Sequence, residues 1–160
     1  MNALKNLMFL ILGLVLLTNA VNAQNYKAPM IDASGNFNDK DGKKLGTFTK
    51  DGLVDAEGNK IAHLDAAGNL IDASTGKGLG KAQKNGNFVY HFNSEKEGTK
   101  FSIGAPLQGI CEVKNEKGEV VLLVHENYKA QAACAFHCAQ MKKDGKSIKM
   151  HDHSDPNHKH

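Results

Sequence analysis

Between Met30 and Phe92 the apolar residues come in clusters of one to three, each cut short by a polar turn that carries glycine. Ile31-Asp-Ala-Ser-Gly35, Val54-Asp-Ala-Glu-Gly58 and Ile71-Asp-Ala-Ser-Thr-Gly76 are variants of one phrase. Lys50-Asp-Gly-Leu53, Ala67-Gly-Asn-Leu70 and Asn85-Gly-Asn-Phe88 are variants of a second. Asp-Gly, Gly-Asn and Asn-Gly tolerate positive φ at low cost, which makes them hairpin-turn chemistry. The apolar pairs between them predict strands of about three to five residues. The expected fold is mainly β, a meander or small barrel-like array of short antiparallel hairpins.

Past a charged break at Ser94–Lys100 the pattern changes. Ile110-Cys111-Glu-Val113 and Val120-Val-Leu-Leu-Val-His125 flank Lys114-Asn-Glu-Lys-Gly118, which predicts a further hairpin. Its second strand is continuously apolar, as in a strand buried on both faces. One C-terminal helix is expected over 127–143, with Asn127 as N-cap, alanines inside, Lys142 and Lys143 in the last turn and Gly145 beyond it. At about 100° per residue, Tyr128, Ala132, Ala135, Phe136 and Ala139 share an apolar stripe. Cys134, Cys138 and Met141 fall on a different side, with His137 beside them. Sulfurs set off the packing stripe need either a second layer over them or a chemical role.

The two ends complete the plan. Lys5, the apolar run Leu7–Leu17 and Val21-Asn-Ala23 read as a secretory signal removed before Gln24. The run falls short of the about 20 residues of a membrane span, and no cysteine near the cleavage position is placed to carry a lipid. The expected divisions are a signal peptide over 1–23, the β-repeat region over 24–93, the hairpin and Cys/His helix over 94–145, and a disordered His-rich tail over 146–160. The mature chain is expected in the periplasm or secreted, without a membrane span.

Composition narrows the partners. All 20 basic residues are lysine and there is no tryptophan. Without arginine the chain lacks bidentate recognition of phosphate, and with few aromatics it lacks stacking platforms. Nucleic acid is not expected as a partner. Asp39-Lys-Asp41-Gly42 opens like a calcium loop, but the twelfth position, which needs a bidentate glutamate, is Lys50. The repeated aspartates therefore read as turn caps, and His63 and His91 as surface or packed residues on strands.

The soft ligands concentrate at the C-terminal end: all three cysteines and six of eight histidines lie from Cys111 to His160. An oxidising compartment favours disulfides, yet three cysteines leave one over. Cys111 bonded to Cys134 or Cys138 would staple hairpin to helix, worth about 2–4 kcal/mol. A Cys134–Cys138 bond across one helical turn lies near the geometric limit. Alternatively, thiolates of Cys134 and Cys138 with His125, His137, Met141 or Cys111 would hold a copper or zinc ion. His151, His153, His158 and His160, interleaved with Asp152 and Asp155, form a second and looser set whose affinity falls as imidazole protonates near pH ~6.5.

The Cys-x-x-x-Cys spacing with a distant histidine resembles the copper site of thioredoxin-fold assembly factors for cytochrome oxidase. The likeness covers Cys134 and Cys138 alone, and those factors carry the pair in a loop of an α/β fold, so nothing further is carried over. No Gly-x-Ser-x-Gly, His-Glu-x-x-His or Cys-x-x-Cys occurs. Cysteine with His125 lacks an orienting group or oxyanion loop, so catalysis is not expected. The first expectation is an exported, non-catalytic metal-binding protein for copper or zinc, whose partners are metal ions and an envelope or secreted protein. The alternatives are a structural or interaction module stapled by a disulfide, and a thiol–disulfide protein using Cys134 and Cys138.

Overall fold

The computed structural model describes residues 28–92 and 97–145. Eleven short strands follow one another in chain order. They are β1 (Met30–Ile31), β2 (Asn36–Asn38), β3 (Lys44–Thr49), β4 (Gly52–Val54), β5 (Lys60–Leu64), β6 (Asn69–Asp72), β7 (Gly78–Ala82), β8 (Phe88–Tyr90), β9 (Thr99–Ile103), β10 (Ile110–Lys114) and β11 (Val120–His125). Sequence neighbours pair antiparallel all the way round, and the sheet closes into a barrel. In an alternating meander with an odd number of strands, the first and last run the same way. Closure therefore falls on a parallel pair, Met30↔Leu123 and Ile31↔Val124, joined by the Leu123 N–H donating to the Pro29 carbonyl at 2.9 Å. The expected mainly-β meander with one C-terminal helix is thus realised as a complete ring, which leaves no unpaired strand edge among the described residues.

The turn phrases explain why the strands are so short. In Asp55-Ala-Glu-Gly-Asn59, one oxygen of Asp55 accepts from the backbone N–H groups of Glu57 and Asn59 at 3.0 and 2.7 Å, and the other from the Asn59 amide at 3.0 Å. Gly58 takes φ 87°, the left-handed conformation that closes the turn. Asp32 with Asn36 and Asp65 with Asn69 repeat the arrangement. Asp39 with Lys43 keeps its backbone half. The aspartates cap turns, each satisfying donors that the reversal would otherwise strand.

Between turns, alternation sends one side chain inward and the next outward. Phe101 and Val113 are buried while Lys100 and Ser102 are exposed. The break near residue 94 divides neither sheet nor core. Phe88 of β8 faces Phe101 of β9 across the ladder, and one apolar cluster joins Ile31, Leu53 and Leu70 with Val113, Leu122 and Phe136. In β11, Leu122, Leu123 and Val124 are all buried, as its continuous apolar run implies.

Eleven strands at about 4.8 Å spacing and about 40° tilt close into a ring of about 22 Å diameter. Its radius of about 11 Å is close to the 8–10 Å at which a helix packs on a neighbour. Such a ring holds one helix and a single layer of side chains. Here the occupant is α1 (Ala132–Lys143), 12 residues and about 18 Å long. Ala132 to Cys138 are buried without a break, and the helix meets β4, β5, β8 and β11, strands spread around the wall. Three alanines among those seven residues keep its girth within the lumen. None of the helices among the described residues is long and apolar enough to cross a membrane.

The α-helix starts later than Asn127. Glu126–Gln131 forms a 3-10 helix, a tighter coil suited to a reversal from wall to lumen within a few residues. The cap is His125, whose Nδ1 accepts from the Asn127 N–H at 3.3 Å. Tyr128 anchors the reversal on Phe48, with ring centroids 5.9 Å apart, and over Gly35, where a Cβ would overlap its ring.

Candidate functional site

Enclosure by the barrel changes the meaning of the sulfur stripe. The stripe of Ala132, Ala135 and Phe136 and the side bearing Cys134 and Cys138 are both packed, because the wall surrounds the helix. The second layer demanded by the sulfurs is the opposite arc of the same sheet. Phe136 fills one arc, with its ring centroid 4.4 Å from Phe101, 5.2 Å from Tyr90, 5.6 Å from Phe88 and 6.1 Å from Phe92. Cys134 faces another, where Gly52, Lys60 and His63 line a cleft.

All three cysteines are free thiols, with no disulfide among them. Cys111 is 0% exposed, Cys134 1% and Cys138 1%. Burial pushes the Cys134 thiol up to about 12. It lifts Cys138 to about 11, with Lys142 pulling down and Asp55 pushing up. It raises Cys111 as well, against the charge of Lys129 and with that of Glu126. Thiolate is both the nucleophile and the metal ligand, so these protonated thiols behave as small apolar side chains.

His125 caps the 3-10 helix at the rim, and Met141 is half-buried against the core. Among the described residues, no three His, Cys, Asp or Glu side chains converge as a metal-holding group. His151, His153, His158 and His160 lie outside the described residues.

His137 is the helix residue with polar company. Its Nδ1 lies 2.8 Å from the Tyr90 hydroxyl, and its Nε2 lies 3.2 Å from Asp72 Oδ2. The other oxygen of Asp72 accepts from the Ser74 N–H at 2.8 Å, the Ser74 hydroxyl at 2.6 Å and the Thr75 N–H at 2.9 Å. Burial alone would raise the Asp72 carboxyl, but the Ser74 and Thr75 donors and the His137 charge outweigh it and hold the group below 3.8. Burial, assisted by the negative charges of Asp144 and Asp72, pushes Tyr90 up to about 12. Asp72, His137 and Tyr90 are all buried. The chain Asp72–His137–Tyr90 therefore ties the helix to β6 and β8 through one imidazole, and fixes both the rotation and the depth of the plug.

Asp72 and Tyr90 were not visible as partners in the sequence. A faint signal existed: Ile71-Asp-Ala-Ser-Thr-Gly76 is one residue longer than its sister phrases. In that longer loop no asparagine reaches back, and the spare carboxylate oxygen faces the helix instead. Tyr90 sits two residues after Phe88, on the inward side of the alternation. Compared with protein-family models, curated proteins and solved structures, the chain matches none.

Proposed function

We propose an exported, non-catalytic metal-binding protein in which the helix-filled barrel is the scaffold and the histidine-rich segment His151–His160 takes up copper or zinc ions. The observation that carries this reading is the enclosure of Cys134 and Cys138, each 1% exposed and held as thiol. With the sulfurs engaged in packing, the densest set of metal-ligating side chains left in the chain is the four histidines and two aspartates of residues 151–160. Imidazole and carboxylate suit zinc and divalent copper. The apolar run Leu7–Leu17 behind Lys5 supports export, to the periplasm or beyond the cell.

Zinc(II) and copper(II) titrations of three proteins test the proposal: the chain without residues 1–23, the same chain ending at Lys149, and the double variant Cys134→Ala/Cys138→Ala. Uptake is expected to vanish with the tail, to persist in the cysteine variant, and to weaken as pH falls through about 6.5. Uptake that survives truncation but is lost with the cysteines would return the site to the helix. No uptake by any of the three would overturn metal binding and leave a structural module.

A further inference from the structure

In a sequence without tryptophan, tyrosine is the most readily oxidised aromatic side chain, and this chain has three, Tyr26, Tyr90 and Tyr128. Tyr90 and Tyr128 belong to the described residues, and their hydroxyls meet different surroundings. The Tyr90 hydroxyl lies 2.8 Å from His137 Nδ1. Tyr128 packs on Phe48 and over Gly35, and its hydroxyl has no hydrogen-bond partner among the described residues.

One placement of hydrogens suits both ring nitrogens of His137. The Tyr90 O–H donates to Nδ1, and the imidazole carries its own hydrogen on Nε2, the side of Asp72 Oδ2. The opposite tautomer would set the Nε2 lone pair against the carboxylate and leave the phenol hydrogen without an acceptor among the described residues. Tyr90 is thus a buried phenol already in contact with a base.

A phenol that loses an electron becomes a strong acid. A bare radical cation beside Phe92 and Phe136, with ring centroids 4.9 and 5.2 Å away, would be a charge buried in apolar surroundings. Deprotonation beforehand is not open to Tyr90, because burial pushes its hydroxyl up to about 12. Departure of electron and proton together avoids both obstacles. The positive charge then ends on the imidazole, 3.2 Å from Asp72 Oδ2, as one half of a buried ion pair. The other oxygen of that carboxylate is held by the Ser74 and Thr75 donors.

From this geometry we propose that Tyr90 is a redox-active tyrosine, the residue at which the folded protein gives one electron to a strong one-electron oxidant. The electron passes to the oxidant, and the phenolic proton moves from Oη to His137 Nδ1. The products are a neutral tyrosyl radical, an imidazolium beside Asp72 and the reduced oxidant. One electron from a one-electron reductant returns the proton to Tyr90. No ligand has to enter the barrel, since electrons tunnel through packed protein, and the enclosing wall keeps one radical from meeting another.

Flash-generated tris(bipyridine)ruthenium(III), with a cobalt(III) quencher, serves as the oxidant for the chain without residues 1–23. Transient absorption and electron paramagnetic resonance follow the tyrosyl radical. The Tyr26→Phe/Tyr128→Phe variant leaves Asp72, His137 and Tyr90 untouched. It is expected to form the radical as fast and in the same yield as the unaltered chain, and more slowly in heavy water. Tyr90→Phe should lose this phase. His137→Gln removes the base and should slow it at least about tenfold, the effect of a barrier about 1.4 kcal/mol higher. Loss of the radical in the Tyr26→Phe/Tyr128→Phe variant, or an unchanged rate in heavy water, would leave Tyr90 a structural tie alone and overturn the proposal. If Tyr90→Phe or His137→Gln does not fold, the Tyr26→Phe/Tyr128→Phe variant still decides, since Tyr90 is its sole tyrosine.

Discussion

The rate at which Cys134 and Cys138 react with a disulfide reagent reports how firmly the helix is held in the barrel. At pH 8 an exposed cysteine is about one quarter thiolate, whereas groups near 12 and 11 hold on the order of 10⁻⁴ and 10⁻³. With 1% exposure as well, labelling of the native chain has to pass through states in which the plug has left the lumen. Its rate then tracks the opening equilibrium. Phe136→Ala perturbs that equilibrium without touching either thiol. The ring is 4% exposed and faces four aromatic rings within 6.1 Å, and truncating such a phenylalanine costs about 3–5 kcal/mol. If opening bears the whole cost, both thiols react between about 10² and 10⁴ times faster in the variant, at 1.36 kcal/mol per decade. Timed labelling followed by mass spectrometry of peptides assigns the rates. Reaction of Cys134 and Cys138 in the unaltered chain at the rate of a model thiol would refute the enclosure. So would an unchanged rate in a folded Phe136→Ala variant.

Two further outcomes follow from the polar groups. Asp72 is held below its ordinary 3.8 in the folded chain, so its stabilising contribution is whole above that value and is lost as pH falls through the lowered one. The urea midpoint should therefore drop more steeply below about pH 4 for the unaltered chain than for Asp72→Asn, and equal slopes would count against the Asp72–His137 tie. Asp55 is 8% exposed and accepts three hydrogen bonds in its turn. Asp55→Ala should cost about 2–3 kcal/mol in equilibrium unfolding, and a loss under about 0.5 kcal/mol would show the cap to be dispensable.

Local chemistry was the part of this fold that could be read from residues. Asp-x-x-Gly phrases announce their turns because capping carboxylate, left-handed glycine and returning asparagine lie within five positions, and the hairpin ending at His125 announces itself the same way. Closure was not legible, since nothing near Met30 or Leu123 marks them as partners. The helix misled for a related reason. Periodicity assigns one packed face on the assumption that the other meets water, and a helix inside a ring has no such face. Cys134 and Cys138 therefore stood apart from the packing stripe in the sequence, whereas in the lumen both are as buried as the stripe itself. His137 could be seen as unusual, but Asp72 and Tyr90 reach it only through the curvature of the wall.

The parallel pair that closes the ring consists of two residue pairs, and its strands are roughly ninety positions apart in the chain. Bringing such distant ends together costs about 4 kcal/mol in loop-closure entropy beyond a constant, more than two ladder pairs return at about 1 kcal/mol per hydrogen bond. The seam is then not self-supporting during folding. The contacts able to offset it are those that α1 makes across the lumen, so insertion of the plug and sealing of the wall form one cooperative event. A chain ended before Ala132 would stay an open, curling ribbon whose first and last strands remain unsatisfied and sticky. The C-terminal helix in this sense serves as the built-in mould around which its own container sets.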